Sequence, residues 1–192
     1  MRYGKEHKQE ARQRMLDAAG RGFRRRGFGG IGVDGLAKEA HVTSGAFYGH
    51  FASKEAAFKE VAVAGLAKLR ASVERRRVEE GDAWFESFVR YYMSDRWQCE
   101  LGESCALQSL TPEVYRADDD IKSAYQVELE ALAQAVAEGL TALPEAARLP
   151  RAWALLAILS GGVTMARAAA DKAVAEEIAA GVARSALAFA TA

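Results

Sequence analysis

The 192 residues are half hydrophobic and 27% charged, and 26 basic side chains are matched by 26 acidic ones. That is the make-up of an ordinary soluble globular protein long enough for one core or two small ones, and three prolines among abundant alanine lean towards helix. The opening residues 1–14 are too polar for a signal peptide and the longest uncharged run, 152–166, is too short to span a bilayer, so no membrane partner is expected, the cytoplasm is the expected location, and Cys99 and Cys105 are expected as free thiols.

The zero net charge hides an asymmetry. Residues 1–60 carry 12 Lys+Arg against 7 Asp+Glu, while the remainder carries 14 against 19. A basic end on an acidic remainder predicts a polyanion-binding module joined to a body that does not bind polyanions.

Residues 6–26 form the first predicted helix. Ala11, Met15, Ala18, Ala19 and Phe23 recur at three- and four-residue steps, leaving a basic opposite face, and Gly27, Gly29 and Gly30 end it in a turn. Residues 33–40 make a second, short helix with Val33, Leu36, Ala37 and Ala40 on one side. After His41 and Val42, Thr43 or Ser44 caps a third helix running to about Phe51. Ser53 then caps a long helix over 54–77.

Two short helices joined by about three residues form the helix-turn-helix pattern, whose second helix enters the DNA major groove by its N-terminal residues. The stretch HVTSGAFYGHF, 41–51, suits that second position. Gly45, Ala46 and Gly49 permit close approach to DNA, Phe47 and Phe51 pin the helix to the core, and Tyr48 and His50 point outward.

Gly27-Phe28, Val33-Asp34-Gly35-Leu36-Ala37, the run Val42 to Phe51 and Ser53-Lys54-Glu55 together resemble the N-terminal domain of the TetR family of bacterial transcriptional regulators. The match in order and spacing extends over about fifty positions, and the F-Y-x-H-F-x-S-K-E core is its most specific part. The resemblance implies an all-α fold of about nine helices, with a three-helix helix-turn-helix DNA-binding domain at residues 1–53. It implies an effector-binding and dimerisation domain at 54–192, with the 54–77 helix linking the two. It also implies a DNA-binding transcriptional regulator, not an enzyme: a ligand-responsive repressor that binds a palindromic operator as a homodimer and responds to an unknown small-molecule effector. Thr43, Ser44, Gly45, Ala46, Tyr48, His50 and Lys54 are its expected DNA contacts. The chain departs from the family pattern at Gly32, where Ser or Thr often caps the second helix, at His41, where Gly is usual, and at Ser44, where Lys is frequent.

Beyond the module the predicted elements are an aromatic helix over 82–97, a loop over 98–103, short helices near 104–110 and from Thr111-Pro112, and a long amphipathic helix over 118–139. Pro144 and Pro150 are expected to bracket a break before a final helix pair over 151–170 and 174–190. The rings of the aromatic helix are either core or the wall of a ligand pocket, with Trp84, Phe88, Tyr91, Tyr92, Cys105 and Tyr125 as candidate lining residues. The final pair is apolar around too much of its girth for a surface helix. It is either a buried hairpin or, as the resemblance implies, a dimer interface.

Cys99 and Cys105 lack redox-motif spacing, and with His7, His41 and His50 scattered in the first fifty residues no metal set or cofactor is expected. Cys105 is read as a buried thiol or, in the alternative, as the sensor of a thiol-based redox- or electrophile-responsive regulator. Glu100 and Glu103 nearby argue against the sensor. Two further classes stay open: a helical enzyme using Cys105, and an architectural DNA-binding protein with no effector.

Overall fold

A computed structural model describes residues 2–191. Among them the chain forms ten α-helices and no strand. They are α1 (Arg2–Arg26), α2 (Val33–Glu39), α3 (Ser44–Tyr48), α4 (Lys54–Glu80), α5 (Trp84–Gln98), α6 (Ala106–Ser109), α7 (Thr111–Val114), α8 (Asp119–Gly139), α9 (Glu145–Ala168) and α10 (Lys172–Thr191), with 3-10 turns at Gly81–Ala83 and Leu101–Glu103. The side chains of Arg2, Lys5, Lys8 and His7, which enter the sequence argument above, lie outside the described residues.

The first three helices form a small three-layered knot on the start of α4. α1 buries Met15, Ala18, Ala19 and Phe23 and stops at Gly27, whose φ of 71° is open to glycine at no steric cost. Phe23 and Phe28 meet Phe58 of α4 edge-on, at 5.3 and 5.1 Å between ring centres. The rings of Phe47 of α3 and Phe51 lie tilted to each other at 5.1 Å between centres and are fully buried. These rings hold α3 against α1 and α4 and settle which of its faces looks outward.

α4 carries this knot into the body. At 27 residues it is about 40 Å long, and it packs along α8. Lys59 pairs with Asp120, Arg70 with Glu128 and Arg77 with Glu138. The numbers rise together, so α4 and α8 run parallel. Each such half-exposed pair adds at most about 1 kcal/mol. The stability comes from Leu66, Leu69 and Val73 meeting Leu132 and Val136 in one continuous core.

Two interhelical contacts cap helix ends. Trp84 Nε1 donates to Gly139 O at 3.1 Å, closing the C-terminus of α8. Arg167 of α9 donates to the carbonyls of Arg96 and Cys99 at 2.8 and 2.9 Å, closing α5. α9 and α10 form an antiparallel hairpin, with Arg151 donating to Phe189 O and Gly162 facing Val182.

The structure corrects the expected break between Pro144 and Pro150. Pro144 is the residue before α9, and Pro150 lies inside it as its sixth residue. A helix's first four amides lack an intrahelical partner in any case, so a proline just beyond them costs a single backbone bond. Tertiary packing offsets that loss, because Ala152, Leu155, Leu156 and Leu159 follow at core positions. α9 is therefore 24 residues long, and by length and composition alone it could cross a membrane. Its apolar face is instead buried against α5, α8 and α10.

Candidate nucleic-acid interface

α3 spans only five residues; a side chain sets its start and the Gly49 backbone closes its end. Thr43 Oγ1 accepts from Ala46 N at 3.2 Å, so Thr43 rather than Ser44 is the N-cap. That bond occupies a lone pair, and the Thr43 hydroxyl proton stays available to donate to a phosphate. Ser44 donates its proton to the Asp34 carboxylate of α2, so it offers its lone pairs outward. His41, in the turn before α3, adopts φ 56°, the left-handed conformation in which the family uses glycine. Gly32, before α2, supplies no side-chain cap.

The outward side of α3 is made of small residues beside one large one. Gly45, Ala46 and Gly49 are exposed, and Tyr48 is 57% exposed with its ring edge-on to Phe47. His50 is half-buried. Ser53 Oγ accepts from Ala56 N at 3.1 Å and starts α4. Lys54, its first residue, sits 4.1 Å above the Phe28 ring centre, a cation–π contact that aims its ammonium. The structure thus brings all seven expected contact residues to one end of the molecule, on α3, the turns either side of it and the start of α4.

The six candidate pocket residues do not line one hollow. Tyr91 and Cys105 border a cavity of about 400 Å³ between α1, α4, α5 and the 102–106 segment. Trp84 borders a separate groove at the far end of α4. Phe88, Tyr92 and Tyr125 are core residues that border neither. Burial pushes the Tyr125 phenol up to about 12, although its bond with Thr111 Oγ1 at 2.6 Å opposes the shift. Burial, then the Cys105 thiol beside it, raises Tyr92 as well. Glu100, expected near Cys105, turns instead to Arg25, and Arg24 is the charged group that faces the thiol.

One contact with no local signal in the sequence ties α1 and α2 to the segment after α5. Arg25 of α1 donates to Glu39 of α2 at 3.1 Å and to both carboxylate oxygens of Glu100, 75 residues away, at 2.9 and 3.1 Å. The Arg25 bonds, then the Gly102 amide, hold the Glu100 carboxyl below its usual range. No local pattern announces such a pair, because its members are unrelated in sequence.

Residues 15–61 match the family profile described as bacterial regulatory proteins, tetR family. The chain carries a TetR-family N-terminal domain. The matched segment runs from the middle of α1 into α4 and contains every expected DNA contact. No curated protein matches the sequence. Among solved structures the chain resembles the reduced form of Escherichia coli NemR at 21% identity and a TM-score of 0.75, over 90% of this chain and 95% of that one. It also resembles a TetR-family transcriptional regulator from Streptomyces coelicolor at 21% identity and 0.76, over 96% and 97%. A third likeness is to the regulatory protein TetR from Rhodobacter sphaeroides at 19% identity and 0.74, over 91% and 97%. At these identities the likenesses establish the fold, which extends over nearly the whole chain. The matched domain supports a DNA-binding regulator.

Proposed function

We propose that the protein is a ligand-responsive repressor that binds a palindromic operator as a homodimer in the cytoplasm. The observation that carries this reading is the uncovered outer side of α3, where Gly45, Ala46 and Tyr48 are exposed beside two capped helix starts. In this reading Ser44, Gly45, Ala46 and His50 face base edges, while Thr43, Tyr48 and Lys54 hold phosphates, which fix register without reading sequence. The residues 1–53 act as the reading head and 54–192 as the effector-binding and dimerising body.

A second copy of the chain is supported by the outer faces of α9 and α10. Leu149, Trp153, Ala157, Gly161 and Met165 are exposed along α9, and none carries a charge. Nothing lies within 4 Å of a Cβ placed on Gly161 or Gly181. A face of this kind on a helix pair is left for close helix–helix contact with a partner. Joining two reading heads this way requires half-sites about one DNA turn, 34–36 Å, apart or a multiple of it. Selection of bound DNA from a random pool tests the whole reading: a palindrome is expected, and enrichment of unrelated, asymmetric sequences would refute it.

Cys105 supports a second reading, regulation through its thiol. It borders the 400 Å³ cavity, so an electrophile small enough to enter would reach the sulfur. In that case Cys105→Ser abolishes electrophile-driven DNA release without weakening DNA binding itself.

A further inference from the structure

Among the described residues Arg24 has no ion-pair partner, and Glu103 and Asp17 act on it only at longer range. It projects from α1 towards α4, its Nε is buried with no hydrogen-bond partner, and no carboxylate lies in ion-pair range among the described residues. Room for it comes from Gly20, where a Cβ would stand 2.7 Å from one terminal nitrogen of Arg24. Gly65, where a Cβ would first meet Ala106 at 2.3 Å, leaves the other nitrogen only 3.3 Å away. Leaving a buried guanidinium unpaired costs free energy, and a protein that makes room for one has a use for it.

The surroundings say what the use is. Arg24 borders the 400 Å³ cavity together with Arg21, Arg96 and Lys68, against two carboxylates, Asp17 and Glu103. Asp17 is already engaged by Lys68 at 2.8 Å, and Arg96 is held at the rim by donating to Glu103 O at 2.7 Å. Arg21 and Arg24 remain as unpaired donors on successive turns of α1. Leu69, Ala106 and the Tyr91 ring supply the apolar part of the wall. Tyr91 is flanked by Arg76 and Arg96, at 4.8 and 5.7 Å from its centre. The volume falls in the range of small-molecule sites.

We propose that this cavity binds a small organic anion, headed by a carboxylate or a phosphate that Arg24 and Arg21 pair, with its apolar remainder against Tyr91 and Leu69. The site lies where α1, a helix of the reading head, crosses α4 and the 102–106 segment of the body. An occupant would pair with α1 on one side and touch the body on the other. It would therefore favour one angle between them, and DNA affinity would change by as much as its affinities for the two arrangements differ. This regulatory part rests on the function proposed above; the site itself does not.

The test uses the full chain, with inorganic phosphate and benzoate as probes at ionic strength held constant with sodium chloride. At a probe concentration about a hundred times its dissociation constant, at least one probe is expected to raise the melting temperature by roughly 5 °C. Arg24→Met is expected to abolish the rise while melting no lower than the parent in the absence of probe, because it removes an unpaired buried charge. Should that variant not fold, Arg21→Gln, at a half-buried wall position, is expected to weaken the probe's apparent affinity roughly tenfold. No rise with either probe, or a rise that survives these substitutions, overturns the site. Release of the selected palindrome is measured in parallel. A melting response with unchanged DNA affinity keeps the site and overturns its regulatory role, whereas failure to select any palindrome counts against the proposed function alone.

Discussion

Thr43, Tyr48 and His41 show how much rests on single side chains around α3. Thr43 supplies the only side-chain cap of a five-residue helix, so Thr43→Ala is expected to destabilise the fold by about 1 kcal/mol and to weaken DNA binding as well, which melting and binding assays separate. Tyr48→Phe removes one hydroxyl donor and leaves the ring on Phe47. Affinity is expected to fall roughly three- to tenfold for every DNA sequence alike, and a loss confined to one base position would show that Tyr48 reads a base. His41 holds a left-handed backbone at a cost of about 1–2 kcal/mol, part of which glycine would return through its looser unfolded chain. His41→Gly is therefore expected to raise stability by about 0.5–1 kcal/mol in a thermal melt.

Between elements, the decisive contact is the one Arg25 makes with Glu39 and Glu100, because it ties α1 and α2 to the turn before α6. Glu100 titrates below its ordinary range in the folded chain. A carboxylate depressed in this way adds stability that is fully present above its unfolded pKa and is lost as pH falls through the folded one. The tie is therefore expected to loosen on acidification below the ordinary carboxylate range, seen as faster amide exchange at Gly102 and Glu103. Glu100→Gln should bring that faster exchange to neutral pH. Both groups are open to solvent, so the effect belongs to coupling between elements and little to global stability.

For the whole molecule the proposed dimer places the outer face of α9 and α10 between two copies. Gly161 has open space around it, so Gly161→Arg is expected to leave the single chain folded. Sedimentation should then report one subunit where the parent reports two, and affinity for the palindrome should drop steeply because each half-site must be bound separately. Binding of the parent should also weaken steeply with added salt, since phosphate contacts release counterions.

Local chemistry made the reading head legible in the sequence. The caps at Thr43 and Ser53, the left-handed turn at His41 and the Phe47–Phe51 spacing each act within a few residues of themselves, so α2 and the starts of α3 and α4 were legible, while α3 ends at Tyr48 and not near Phe51. Helical periodicity likewise gave α5 and α8 nearly to their ends. The same local logic failed at Pro150, where a proline that breaks an isolated helix is carried by core positions four turns long. It also grouped Trp84, Tyr91 and Tyr125 as one pocket wall, although a shared helix face or ring chemistry does not say which hollow a side chain meets. The sequence by itself determined most of the elements and the outward side of α3, because capping, turns and amphipathic spacing are short-range interactions. Only the tertiary structure decided that Arg25 holds Glu100 and that Arg24 stands unpaired beside Cys105, because those neighbours are 75 and 81 residues apart and meet only when the bundle closes.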